Sequence, residues 1–393
     1  MNHKQIIILT LIIVFSVIII VAASVLIAAA VYGKKLNVHT SKELDGVDPE
    51  MCTILYYASI VGNSHNTQLW KLNIHLESNN KKGKIEICYD ERRVLSVVDP
   101  TKRESYISLG LYIESLMMLL QTYGYDANLT YPASIINNVK NDQISSPVSI
   151  IYYAKNKQTK TSQQKIDEII SLIEKRHTDK GSFKKNKLTS EHVNLLKQKF
   201  TNDLSIYLNG EENFNYIKDK TIDSIKTQSN DQAYRVELAE WLRFSNKESN
   251  QKLDGIDADM MGFSGLKKGF YYMTIHRKTA KGNKFAKQGI STAKNQVKNC
   301  GSFILILGDT SSIASQIEIG RTVHRIWLEC TKNGISLHPM SSILEIDPYK
   351  SNIKNDLKLN KNVQMVFRAG YSKKYGSNIK LRRNLKDYIT VLK

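Results

Sequence analysis

Gly110-Leu-Tyr-Ile-Glu-Ser-Leu-Met-Met-Leu-Leu-Gln-Thr-Tyr-Gly124 lays onto Gly320-Arg-Thr-Val-His-Arg-Ile-Trp-Leu-Glu-Cys-Thr-Lys-Asn-Gly334 without a gap. The glycines are fourteen apart in both, and apolar residues coincide at Ile113/Val323, Leu116/Ile326, Met117/Trp327 and Met118/Leu328. The second glycine of each suits the position just past a helix. The first is costly inside a helix, about 1 kcal/mol against Ala, unless another backbone packs closely there. Two helices with the same glycine at the same place predict two copies of one half around a pseudo-twofold axis. The plainer alternative is two unrelated core helices with glycine caps.

Outward from these helices the pattern alternates. Cys52–Ile60 reads as helix, Trp70–Leu76 as an alternating strand, and Ile85–Tyr89 as a second strand after a turn at Lys81–Lys84. Arg103–Tyr123 is a long apolar helix, and a polar stretch, Asn137–Ser146, precedes a strand at Val148–Tyr153. Thr161–Arg176 is amphipathic, with Ile166, Ile169, Ile170 and Ile173 on one face. A helix follows Thr189-Ser190, Tyr234–Arg243 reads as another, and Phe303–Leu307 is a buried strand. Ile313–Lys332 is a helix and Val363–Arg368 a strand. The class is α+β.

Composition sets outer limits. The chain of 393 residues accommodates two domains, or one large fold with appendages. With 41% hydrophobic and 24% charged residues it can bury a core, which excludes a mainly disordered chain. Cys52, Cys88, Cys300 and Cys330 form no C-x-x-C pair. That excludes a zinc ribbon or disulfide scaffold and suits a reducing compartment; no metal site is expected.

Ile6 to Tyr32 carry no charge for 27 residues. As a helix they span about 40 Å, more than the roughly 30 Å hydrocarbon core. An uncleaved single-pass anchor (1–35) is expected, followed by a linker (36–50). The rival is a signal peptide cut near Ala28-Ala29-Ala30, although its apolar region is normally only about 7–15 residues. Lys34 and Lys35 outweigh Lys4, which predicts a cytoplasmic soluble part. Net charge is +19, and +16 remains on residues 36–393. A charge this large suits anionic lipid heads and permits nucleic acid; the lysines are scattered and no nucleic-acid motif accompanies them, so the plainer reading is a lysine-rich solvated surface, and no nucleic acid is expected.

Ser64-His65-Asn66-Thr67-Gln68 is a run of compact donors and acceptors able to line the polar edge of a flat heterocycle, or to make an ordinary Asx turn. Arg176-His-Thr-Asp-Lys180 offers a guanidinium fork and an ammonium point charge. Lys380-Leu-Arg382-Arg383 is a second basic cluster. Two such clusters suit one phosphate monoester held from two sides; singly, each also reads as a solvated charge run.

Ala58–Trp70 resembles the P-S-x-x-N-x-Q-P-W segment of the nitroreductase superfamily of FMN flavoproteins, and Arg176–Lys180 resembles its R-R-S/T-x-R phosphate motif. The motif order is reversed relative to ordinary members. With Asp99–Glu104, the Glu345 segment, Arg235–Arg243, Asp254-Gly-Ile, Arg368–Tyr371 and Arg382–Leu385, it is similar to the Acg-like branch, in which two halves are fused. The resemblance covers residue 52 to the C-terminus. Asn63, Leu69 and His177 depart from the pattern, the last weakening the phosphate motif because His is largely neutral at pH 7.

The resemblance implies two pseudo-symmetric halves (51–160 and 161–393), each an antiparallel sheet flanked by helices, in a monomer that imitates a dimer. It implies FMN between the halves: Ser64, Asn66 and Gln68 at the isoalloxazine and ribityl chain, Arg176, Thr178 and Lys180 at the phosphate, assisted by Arg382 or Arg383. Backbone around Ser336–His338 would face the pyrimidine edge. It further implies NAD(P)H as donor and a quinone or nitroaromatic as acceptor; no catalytic acid, base or nucleophile is assigned. Two other classes remain: an FMN store lidded by Asp254–Phe270, and a flavin-free basic scaffold at an anionic membrane.

Overall fold

The computed structural model describes residues 2–77, 81–137, 147–156, 158 and 161–392. The polar stretch expected at Asn137–Ser146 therefore lies, from 138 on, outside the described residues.

Among the described residues the chain is mixed α+β, with two sheets. The first is built from β1 (Trp70–Glu77), β2 (Lys82–Tyr89), β3 (Tyr125–Thr130) and β4 (Ser149–Lys155); the second from β5 (Leu204–Leu208), β6 (Ser302–Gly308), β7 (Ser336–Pro339) and β8 (Asn362–Gly370). The last strand, β9 (Ile389–Leu392), returns to the first sheet and lies parallel beside β1. Strand orders are β3-β4-β2-β1-β9 and β5-β6-β8-β7, every other pairing being antiparallel.

Helices in chain order are α1 (His3–Tyr32), α2 (Pro49–Ala58), α3 (Arg103–Thr122), α4 (Ala133–Asn137) and α5 (Gln163–Lys175). Then come α6 (Ser190–Lys199), α7 (Glu212–Asn230), α8 (Gln232–Trp241), α9 (Asn246–Lys252) and α10 (Gly265–Thr274). The last four are α11 (Arg277–Ala280), α12 (Asn283–Lys298), α13 (Ile313–Lys332) and α14 (Tyr349–Asp356). Helix α2 begins three residues before the expected start because Asp48 caps it, accepting from the Met51 N–H, with Pro49 in the first turn.

The two glycine helices cross at their glycines. A Cβ on Gly110 would overlap Ile317 O and stand 2.7 Å from Gly320 Cα. One on Gly320 would overlap Ile107 O and stand 2.8 Å from Gly110 Cα. The contact is reciprocal, so each glycine removes the side chain that would hold the other helix away. Around this crossing a single apolar core takes residues from both sheets, among them Leu72, Ile85, Ile151, Ile304 and Phe367. Strand β6 is buried along its whole length because α7 and α12 cover its other face through Phe214, Ile217, Ala293 and Val297.

Helix α1 is long and apolar enough to cross a membrane and is exposed except at its end, where Ala29 and Gly33 are buried. There it crosses α10: a Cβ on Gly269 would overlap Ala29 O, and one on Gly33 would overlap Gly265 O. Residues 36–41 of the expected linker are hydrogen-bonded to the body of the chain. Leu36 N–H donates to Asp259 Oδ2 (2.8 Å), the Thr40 hydroxyl to Arg382 O (2.6 Å) and Ser41 N–H to Asn384 Oδ1 (2.8 Å).

Candidate functional site

Between α2 and β1 the chain makes a strained loop. His65, Asn66 and Gln68 have φ of 47°, 53° and 52°. Left-handed residues other than glycine cost of order 1–3 kcal/mol each and persist only where the surroundings over-determine them. Here Asn66 Nδ2 donates to Gly255 O (2.9 Å) and Leu381 O (3.2 Å), and Arg382 Nη1 donates to Asn66 Oδ1 (2.9 Å). Gln68 Nε2 donates to Leu253 O (2.8 Å), while Arg383 N–H donates to Gln68 Oε1 (2.9 Å). Asn63, where the related motif has proline, accepts from Gln68 N–H (2.9 Å) and closes the loop by hydrogen bonding.

The loop forms one wall of a cavity of about 950 Å³, at the upper end of ligand pockets. The opposite wall is the segment after α5. It runs along β7, Asp179 N–H donating to Leu337 O (3.0 Å). The Asp179 carboxylate is held by the Ser336 hydroxyl (2.7 Å) and Gly181 N–H (2.9 Å). Arg176, Thr178 and Lys180 all line the cavity.

Arg176 is 2% exposed, yet its guanidinium has no hydrogen-bond partner among the described residues; Nε and Nη1 are buried and bare. It stacks over Trp327 on α13, 4.7 Å from the ring centroid. Burial without a counter-ion, with Arg382 nearby, pushes its pKa down to about 9. Lys180 likewise has no anion or acceptor among the described residues, and burial pushes it down to about 8. Lys180 is half-buried where Arg176 is fully so, and an unpaired buried cation is expensive. An anion in the cavity would relieve both.

Ser64 and Asn66 line the cavity; Gln68 and Arg383 do not. Gln68 is fully buried against Leu253 and the C-terminal segment, and Arg383 Nη2 donates to Gln68 O (2.6 Å) and Trp70 O (2.8 Å). Arg382 reaches the wall but its donors are already used on Ser59 O (2.5 Å), Val61 O (2.7 Å) and Leu381 O (2.7 Å) besides Asn66. Arg383 Nε is buried without a partner but lies outside the cavity lining, so among the described residues the free guanidinium donors that reach the cavity are those of Arg176. His177 is turned to Lys175 O (2.8 Å) and Tyr375, and burial lowers its pKa, which keeps it neutral.

Sequence reasoning passed over a carboxyl pair. Ser64 Oγ donates to Glu104 Oε2 (2.6 Å), and Glu104 bonds Arg103 (3.1 Å). Glu345 lies against Glu104 and accepts from Gln228 Nε2. Burial first, then the neighbouring Glu104, push the Glu345 pKa well above the carboxylate range, so the pair holds a proton. Both line the cavity, as do His65, pushed down to about 4 by burial and Lys180, and buried His338, whose Nδ1 accepts from Arg368 Nε (2.9 Å). The segment Asp254–Phe270 is held by ion pairs, Asp254 with Arg93 (2.8 Å) and Arg243 and Asp259 with Lys268, and its last third is α10.

No family model matches the chain, and no curated protein matches it. Among solved structures, one similar to it is the FMN-dependent nitroreductase NfnB from Mycobacterium smegmatis in complex with NADPH. The likeness is 11% identity over 58% of this chain and 99% of that one, with a TM-score of 0.34.

Proposed function

We propose that the chain is an FMN-dependent NAD(P)H oxidoreductase of the nitroreductase type, held at a membrane by α1. The observation that carries this reading is Arg176, a buried and unpartnered guanidinium that shares the cavity with unpaired Lys180. Arg and Lys together suit a phosphate monoester. A chain without a G-x-G-x-x-G turn has no dinucleotide cradle of the Rossmann kind, which favours FMN over FAD.

The residues present fit that group. Arg176, Thr178 and Lys180 would hold the phosphate, with Trp327 backing the guanidinium plane. Ser64 and Asn66 would border the ring system, Arg382 and Gln68 keeping their loop in its left-handed turns. When bound, FMN supplies hydride acceptance from a nicotinamide and delivery to an acceptor in the same cavity. The Glu345 carboxyl would hold the proton that a reduced acceptor takes up. The reciprocal Gly110–Gly320 crossing supports the further reading that α3 and α13 mark the seam between two fused halves.

The close seat of Ala29 on Gly269 favours a retained α1, since cleavage at Ala28–Ala30 would leave Gly269 uncovered.

The test is direct. Full-length protein purified in detergent should release FMN in equimolar amount; FAD or no flavin overturns the reading. Anaerobic NADH or NADPH should then bleach the yellow colour, and a quinone or nitroaromatic should restore it. Bleaching by dithionite with resistance to both nicotinamides would favour a flavin store instead.

A further inference from the structure

Helix α10 is the element on which α1 rests, and its outer face is apolar. Leu266, Phe270 and Met273 fall on one side at helical spacing and are 46%, 39% and 39% exposed, while Lys268, Gly269 and Tyr271 are buried beneath. Exposed apolar side chains grouped like this mark a surface that something covers. The adjoining sequence names the cover by its charge: from 260 to 308 there is no Asp or Glu. Lys267, Lys278, Lys284, Lys287, Lys294 and Lys298 in that stretch are exposed. An apolar face followed in sequence by exposed lysines without an acid, at the foot of a membrane-length helix, matches an interfacial helix on anionic lipid. The cavity reaches the same place, for Gly33, Lys35, Phe263, Ser264 and Gly265 are in its wall, and all but Phe263 and Gly33 are exposed.

We infer that the Leu266/Phe270/Met273 face of α10 lies in the headgroup layer of an anionic bilayer, and that the cavity beside it takes its acceptor from that bilayer. The acceptor class is a flat redox head on an apolar chain, the chemistry of an isoprenoid quinone. The substrate half of this inference rests on the oxidoreductase reading; the membrane half does not. The balance is NAD(P)H, one proton and quinone giving NAD(P)+ and quinol, two electrons passing from the nicotinamide to the quinone.

Full-length protein carrying Phe270→Trp, and separately Met273→Trp, is placed in nanodiscs of phosphatidylcholine and phosphatidylglycerol brominated on the upper acyl chain. The emission added by each substitution should be strongly quenched relative to unbrominated discs, while that of the unsubstituted chain changes little. Added emission that bromine leaves intact overturns the membrane face. In the second arm, the double variant Leu266→Glu/Phe270→Glu should reduce a water-soluble short-chain quinone at the unsubstituted rate. It should lose about tenfold or more on a long-chain isoprenoid quinone dissolved in the disc. Equal loss on both, or on neither, overturns entry from the bilayer. If NAD(P)H bleaches no flavin even in the unsubstituted chain, the oxidoreductase reading and the substrate half fall together, and the quenching arm still decides the membrane face.

Discussion

Arg176 and Arg382 are the same residue type, equally buried, on walls of one cavity, and opposite in situation. Arg382 donates to three backbone carbonyls and the Asn66 side chain; Arg176 donates to nothing described and sits over the Trp327 ring. A buried cation whose donors are used is part of the scaffold. One whose donors are bare stores an unfavourable desolvation that a ligand anion can relieve. Burial and charge do not separate a binding residue from a structural one; unsatisfied hydrogen bonds do.

The comparison breaks first at Arg382. Arg382→Ala would orphan the carbonyls of Ser59 and Val61 and one contact of Asn66, at about 1–3 kcal/mol for each buried group left unpaired. A stability loss of roughly 3–5 kcal/mol in chemical denaturation is expected, and an unchanged midpoint would erase the distinction. Arg176→Ala should do the reverse. FMN affinity should fall about ten- to a hundred-fold, from roughly 1.5–3 kcal/mol of charged hydrogen bonding, while the apo protein keeps or gains stability. Titrating apo protein with FMN and melting it without FMN reads both.

A smaller effect follows from Lys180. In the free chain it loses its proton near pH 8, so its attraction for a phosphate dianion is complete below that pH and declines above it. FMN affinity should weaken by several-fold between about pH 7 and pH 9, where the phosphate charge itself is constant. Lys180→Met should bind more weakly and show a flat profile over that range.

The carboxyl counterpart is the smallest. Glu345 stays protonated in the fold above the ordinary value of 4.5, whereas the unfolded chain ionises there, so folding stability declines as pH rises from about 4.5 toward the folded pKa. Glu345→Gln keeps a hydrogen-bonding group but no titration. Its stability advantage over the unsubstituted chain should grow across that range; parallel curves would mean that the pair shares no proton.

Much of the scaffold was legible. The 3.6-residue pattern and the closing glycines located α3 and α13, and alternation located β1 and β2, because burial of one face leaves its period in the sequence. Elements without such a period were passed over: β7 has four residues, β5 five, and α7 is mostly polar. The site was half legible. The polar run at Ser64–Gln68 and the cations at Arg176–Lys180 stood out by composition. Their division of labour did not, since Gln68 and Arg383 are taken up by each other and Glu104 meets Glu345 only across the cavity.

By itself, the sequence determined the α+β class, the apolar helix at the N-terminus, and the two helices whose matching glycines demanded a close partner. Only the tertiary structure decided that the partner of each glycine is the other one, and that α1 ends in a glycine notch on α10. It also decided which arginine is free. Helical period and glycine cost are properties of neighbouring residues. A guanidinium finds its acceptors hundreds of residues away, and no local pattern records whether it has found them.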